Sequence, residues 1–200
     1  MKRIHTENIN TRENMDKEFL ESPWFYEFDY TDLSRYEKFL SNFRGGRLLD
    51  AGCWNTPTAY EAKKRFPVSE VYCLDISEEV VKHFSRRYSD IVYKQYDCNE
   101  NMPFENEFFD YVIAGEIIEH LENPEHFINE IVRILKSGGC FAFSVPDNEM
   151  IKQKSIGGKW HLWSFDEEDF KNLLQDRGTI TFETEQQKQV KTLIGIFKKL

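Results

Sequence analysis

Two acids at the ends of apolar runs carry the first chemical signal in this chain. Leu48-Leu49 leads into Asp50, and Gly52 follows where the backbone must turn sharply. A second run, Val71 to Ile76, carries Asp75 about twenty residues further on. An acid so placed after a glycine turn can accept hydrogen bonds from both hydroxyls of a ribose, as in many sites for adenosine-containing ligands. The plain alternative for Asp75 is a turn residue. Four side chains could accept a proton from an attacking hydroxyl: Glu116, Glu119 and His120 after a further apolar run, and His161 between Trp160 and Trp163. Such a base contributes about 10²–10⁴-fold. A histidine near a helix start is equally well a hydrogen-bonded structural partner.

The pattern around these residues predicts the elements that hold them. Thr56 and Pro57 read as cap and first position of a helix with Ala59, Ala62 and Phe66 on one face. Strand, glycine turn and helix in that order form the entry of a nucleotide-type site in an α/β sheet. Ser77 caps a helix whose first turn holds Glu78 and Glu79 and whose inner face is Val80, Val81, Phe84 and Tyr88. A third strand runs from Ile91 to Tyr96 and ends at Asp97. Phe109 to Ala114 is apolar on nearly every position, as in a central strand covered on both faces, and opens onto Gly115-Glu116. Asn123-Pro124 starts a helix that Lys136-Ser137-Gly138-Gly139 ends, before a strand from Cys140 to Val145.

The flanking segments are less regular. Residues 1–18 read as a polar lead-in. Phe19 to Phe43 is dense in aromatics, with helical spacing from Asp32 onward. Those rings either cover one sheet face or, around Trp24 to Tyr30, close over a substrate. Ile156 to Trp163 is a loop rich in glycine and aromatics, of the kind that carries specificity. Ser164 with Glu167 suggests a capping box on a helix with Phe165, Phe170, Leu173 and Leu174 inside and Gly178 at its end. Strands from Thr179 to Thr184 and Leu193 to Phe197 follow, joined by a polar turn from Glu185 to Lys188.

With these residues in view, the chain resembles the class I S-adenosylmethionine-dependent methyltransferases, in particular their small type-11-like domains. Leu48-Leu49-Asp50-Ala51-Gly52-Cys53 matches the family's first motif, with Trp54 and Thr56 where two further glycines usually stand. Phe109-Asp110-Tyr111-Val112-Ile113 with Glu119-His120-Leu121 looks like the fourth motif, and Arg133-Ile134-Leu135-Lys136-Ser137-Gly138-Gly139 also matches. The resemblance runs from Arg47 to Pro146. It implies a Rossmann-like, doubly wound, mostly parallel seven-stranded sheet with helices on both faces and the last strand antiparallel. It implies S-adenosyl-L-methionine as cofactor, held by Asp50, Ala51, Gly52 and Cys53, by Asp75 and Ile76 at the ribose, by Asp97 and Cys98 at the adenine, and by Ala114 and Glu116. His120 is the candidate catalytic residue, and Trp24, Tyr26, Trp160 and His161 are candidate substrate contacts.

The economical organisation is one domain over residues 1–200: an aromatic cap (1–45), a cofactor-binding core (46–146), and a substrate loop, helix and terminal strands (147–200). Lys and Arg total 26 against 35 Asp and Glu, a net charge of −9, which argues against binding a nucleic-acid backbone. The Asn/Asp-Pro-Pro-aromatic signature of nucleobase methylation is also absent; Ser144-Val145-Pro146-Asp147-Asn148 stands there. No apolar run approaches the roughly 20 residues of a membrane span, and the first residues lack the apolar core of a secretory signal. The four cysteines form no C-x-x-C pair and the five histidines show no ligand spacing, so reduced cytoplasmic thiols and no metal site are expected. The sequence therefore points to methyl transfer onto an O or N atom of a small acceptor: a sugar, a metabolite or a lipid headgroup. The rival is a non-catalytic binding module whose cofactor loop has degenerated at Trp54 and Thr56. A nicotinamide oxidoreductase would need Gly-x-Gly-x-x-Gly, and a nucleoside triphosphatase a Gly-Lys-Ser/Thr loop; neither is present.

Overall fold

The computed structural model describes residues 1–31, 33–147, 160–187 and 190–200. Its strands are β1 (Lys2–Arg3), β2 (Gly46–Ala51), β3 (Val68–Asp75), β4 (Val92–Gln95), β5 (Phe109–Gly115), β6 (Leu135–Pro146), β7 (Trp163–Ser164), β8 (Gly178–Gln187) and β9 (Val190–Lys199). Its α-helices are α1 (Arg12–Glu21), α2 (Leu33–Leu40), α3 (Thr58–Arg65), α4 (Glu78–Arg87), α5 (Pro124–Ile134) and α6 (Glu167–Leu173). Seven strands form one sheet in the order β4-β3-β2-β5-β6-β9-β8, parallel except where β9 runs antiparallel to both its neighbours. This is the Rossmann-like sheet that the resemblance implies, its order reversing between β2 and β5.

Successive strand residues face opposite sides, and the core divides accordingly. Leu49, Val112, Phe141 and Phe143 pack with Phe127, Ile128 and Ile131 of α5 and Phe170 of α6. Leu48, Tyr111, Ile113 and Ala142 pack on the other face with Phe39 and Leu40 of α2 and Ala59 and Ala62 of α3. So part of the N-terminal aromatic segment is core. Phe19 of α1 instead joins Val80 and Phe84 of α4, and Phe28 stacks on Tyr88 with ring centroids 4.7 Å apart. That packing lays the chain before α2 beside the carboxyl ends of β2 and β3.

Several local expectations are corrected, each because a tertiary partner outbids a local signal. Helix α3 starts at Thr58, and the Thr56 hydroxyl shares its proton between Cys53 O (2.9 Å) and Asp50 Oδ2 (3.2 Å) instead of capping the helix. The capping box on α6 is Asp166 with Asp169, because Ser164 is committed to the pairing of β7 with Lys2 of β1. That helix stops at Leu173, and Gly178 begins β8. Leu135 leaves α5 in extended backbone and pairs with Phe109, so Lys136 to Gly139 belong to β6; the Lys136 ammonium reaches Asp110 Oδ1 at 2.8 Å. Glu185 to Gln187 continue β8 where a turn is predicted. Asp32, Asn148, Ile156 to Lys159, and Lys188 lie outside the described residues. Among the described residues no helix is long and apolar enough to cross a membrane.

The β6–β9 pairing sets a glycine directly against a large ring. Gly195 pairs with Phe143, and a Cβ on it would fall 2.2 Å from the Phe143 Cζ. The ring has no room to yield, since Phe170 lies 4.3 Å away on centroids. Gly195→Ala is therefore expected to cost about 1–3 kcal/mol by overpacking. In a thermal melt that is a fall of roughly 2–4 °C for each kcal/mol. A melting temperature within a degree of wild type would contradict this register.

Candidate active site

The carboxyl ends of β2, β3 and β5 open onto a cleft of about 470 Å³, walled on one side by residues of the N-terminal segment. Its shape begins at Gly52, where the chain turns with φ +72° and a Cβ would lie 2.3 Å from the Ile117 side chain. The turn is tied to the next strand: Gly52 N and Cys53 N both donate to Leu74 O, at 2.8 and 3.0 Å. Trp54 takes φ +39°, a conformation that costs a non-glycine residue energy. Its N–H donates to Asp75 Oδ2 at 2.8 Å, while its indole packs edge-on against Phe25 and Phe19 of the cap. The tryptophan thus adopts the backbone that glycine would supply and gives its side chain to the aromatic cluster.

Asp75 is nearly buried yet lines the cavity. Its Oδ1 accepts from Ser77 N (2.9 Å) and its Oδ2 from Trp54 N. A carboxylate oxygen has two lone pairs, so each still has one to offer a ligand. Burial raises the Asp75 pKa to about 6, against the two amide bonds. Asp50 sits deeper, behind Thr56, and burial raises it to about 7, against the Thr56 hydroxyl. Ala51, Cys53 and Ala114 are buried with Asp50 under the wall and not on it, whereas Gly52, Ile76, Asp97, Cys98 and Glu116 line the cavity. Asp97 Oδ1 accepts from both nitrogens of Asn99, at 2.9 Å each, which fixes its carboxylate at the β4 end.

At the opposite end, Glu116 leaves β5 with φ +54°, and Arg35 Nη1 of α2 stands 3.3 Å from its Oε1. His120 lines the cavity with its Nδ1 2.9 Å from Trp160 O, so Nδ1–H donates and Nε2 is left with the lone pair. Burial lowers the His120 pKa, keeping the ring neutral. Trp160 is also in the wall. His161 is not: it is buried behind His120, ring centroids 4.8 Å apart, with burial lowering its pKa to about 4. The other two candidate substrate contacts are likewise off the wall. Trp24 is 70% exposed and Tyr26 stacks on His83, and it is Phe25 between them that faces inward.

Sequence reasoning missed Arg35, Asn10, Asp29 and Asn55, because no motif spans the distance between the cap and the strand ends. The described wall carries five carboxyl groups (Glu18, Asp29, Asp75, Asp97 and Glu116) against one guanidinium, Arg35. Such a lining favours a cationic ligand with hydroxyl groups and disfavours a diphosphate, which needs amide and cationic donors.

Residues 49–143 match the family described as methyltransferase domain. An uncharacterized protein, MJ1123, of Methanocaldococcus jannaschii is 29% identical over 63% of this chain and 57% of its own length. A protein of Mycolicibacterium smegmatis named a probable S-adenosylmethionine-dependent methyltransferase is 29% identical over 64% of this chain and 47% of its own. The chain thus spans about half the length of these curated relatives. Among solved structures, the N-methyltransferase NodS from Bradyrhizobium japonicum, in complex with S-adenosyl-L-homocysteine, superposes with a TM-score of 0.71 at 18% identity, covering 95% of this chain and 98% of that one. At that identity the likeness is one of fold.

Proposed function

We propose, from the match of residues 49–143 to the methyltransferase domain family, that the protein binds S-adenosyl-L-methionine and transfers its methyl group to an O or N atom of a small acceptor. The observation that carries this reading is Asp75, a buried carboxylate with two uncommitted lone pairs, set beside the Gly52 turn in an acidic cavity. The ribose diol takes those lone pairs. The adenine lies toward Asp97 and Cys98, and the ammonium and sulfonium charges lie on the side where Asp50 sits behind Thr56, favouring its ionised form. The methyl group then points to the end bounded by Glu116, His120 and Trp160, where neutral His120 meets the acceptor. Holding donor and acceptor in line there can contribute roughly 7–11 kcal/mol without a dedicated base.

The modest cavity volume and the acidic wall favour a sugar, metabolite or lipid headgroup over a polyanionic polymer. The four free cysteines fit a reducing, cytoplasmic setting, and one domain with cap, core and terminal strands is the simplest organisation. A degenerate binding module is the weaker reading, since Trp54 keeps the glycine-like backbone and packs its indole against Phe19 and Phe25. The test pairs calorimetric titration of S-adenosylmethionine with release of S-adenosylhomocysteine over a panel of hydroxyl and amine acceptors. Micromolar binding and acceptor-dependent turnover are expected. Binding without turnover on any acceptor would favour the module, and no binding at millimolar ligand would end the methyltransferase reading.

A further inference from the structure

Behind the acceptor end of the cavity lies a cluster that methyl-donor binding does not use. Glu119 is fully buried, and neither carboxylate oxygen has a hydrogen-bond partner among the described residues. His161 is 8% exposed and its Nδ1 also lacks a partner among them. Buried polar groups are nearly always satisfied, and a buried carboxyl without a protein partner is costly, so this arrangement calls for a ligand. One ligand atom from each of Glu119, His120 and His161 comes within 4.8 Å of the others. His120 Nε2 is 3.8 Å from Glu119 Oε1, and the Trp160 carbonyl on Nδ1 holds the tautomer that turns the Nε2 lone pair inward.

Three separate segments are fastened together to make this cluster. Leu162 N donates to Glu119 O (2.7 Å), joining the 160–164 segment to the turn that carries Glu119 and His120. Trp163 Nε1 donates to Leu121 O (2.8 Å), and Asn10 Nδ2 bridges His120 O (3.2 Å) and Trp160 O (2.8 Å). His5 Nδ1 lies 2.6 Å from His161 O, and β1 pairs with β7 alongside. The small two-stranded sheet therefore serves to hold His161 against the end of β5.

We infer that Glu119, His120 and His161 form a binding site for a divalent transition-metal ion at the acceptor end of the cavity. Two imidazoles and one carboxylate suit Zn²⁺, Co²⁺, Fe²⁺ or Mn²⁺ and leave further coordination positions open. Ligand atoms about 2.1 Å from one ion lie roughly 3.4 Å apart at tetrahedral angles, so a closing of about 1.4 Å on the widest pair, within reach of side-chain rotation, completes the set. His120 alone of the three lines the cavity, and the open position is proposed on that side. On the methyltransferase reading, on which this second step rests, the ion takes an acceptor hydroxyl and lowers its pKa. The hydroxyl proton passes to water. The oxygen lone pair forms the bond to the methyl carbon while the carbon–sulfur bond breaks, its electrons staying on sulfur. The acceptor class is then an oxygen nucleophile, best a pair of adjacent oxygens able to chelate, and His120 is a ligand and not the base.

The test is equilibrium dialysis of the full chain against micromolar Zn²⁺ and Co²⁺, with bound metal counted by mass spectrometry and Co²⁺ ligation read from its visible absorption. About one equivalent is expected, with affinity falling at least tenfold in Glu119→Gln and in His161→Gln. Glu119→Gln is nearly isosteric and neutral, so it also serves if His161→Gln fails to fold. Both variants should keep the thermal shift given by S-adenosylhomocysteine. No stoichiometric metal in the wild type, or equal uptake by wild type and both variants, overturns the ion site. Metal uptake with no S-adenosylhomocysteine shift in the wild type would strike the methyltransferase reading and leave the ion site standing.

Discussion

Asp75→Ala is expected to abolish the rise in melting temperature that S-adenosylmethionine gives the wild type. At about 100 times its dissociation constant a ligand stabilises by roughly 2.7 kcal/mol, and for a chain of this length that is a rise of about 5–11 °C. A hydrogen bond to a charged group contributes about 1.5–3 kcal/mol, and the ribose diol would lose two of them. The affinity should therefore fall about 10²–10⁴-fold. The substitution also removes the acceptor for the buried amides of Ser77 and Trp54, at about 1–3 kcal/mol each, so the free protein melts lower as well. Asp75→Asn separates the two effects. Its amide oxygen can keep one of the two backbone bonds, so part of the stability returns while ribose binding stays weak. An unchanged thermal shift in Asp75→Ala would remove Asp75 from the cofactor site.

The sheet was readable because its signals are local and redundant. Alternate residues of β5 and β6 serve opposite faces, and unbroken apolar runs bounded by Gly52, Asp75 and Gly115 mark strand ends without reference to anything distant. Asp75 and Asp97 could be placed at strand ends for the same reason. The cap resisted reading because all its rings look alike in sequence. Trp24, Phe25 and Tyr26 are consecutive in a 3-10 turn, and which of them turns inward depends on where α1 rests on α4. Arg35 follows the same logic: its spacing on α2 marks it as polar, and only the approach of β5 brings Glu116 to it. Histidine spacing was silent about His161, since the residues it joins are some forty positions earlier and are brought together by the pairing of β1 with β7. Thr56 misled for a plainer reason, because a side chain that can cap a helix can equally bond a neighbouring buried acid.

That acid gives the second large effect, and its sign follows from the shift. Burial raises Asp50 from the ordinary carboxylate range to about 7 in the folded chain, opposed by the Thr56 bond and reinforced by the charge of Asp75. The folded state therefore prefers the protonated form. Its contribution to stability is complete below about pH 4, where the unfolded chain is protonated too, and is lost as pH rises through about 7. At about 1.4 kcal/mol per pKa unit, the loss is on the order of 4 kcal/mol. Asp50→Asn stays neutral at every pH and resembles the protonated side chain. The variant should match the wild type near pH 4 and exceed it at pH 8 by several kcal/mol, roughly 2–4 °C of melting temperature for each. Denaturant unfolding at the two pH values measures the difference, and a gap that does not widen with pH would show that Asp50 is not held against its ionisation. The same variant should bind S-adenosylmethionine about 10–100-fold more weakly, because a buried carboxylate kept at that cost is complemented by a cationic ligand. Greater stability with weaker binding in one substitution would mark Asp50 as a residue retained for the ligand's charge and not for the fold.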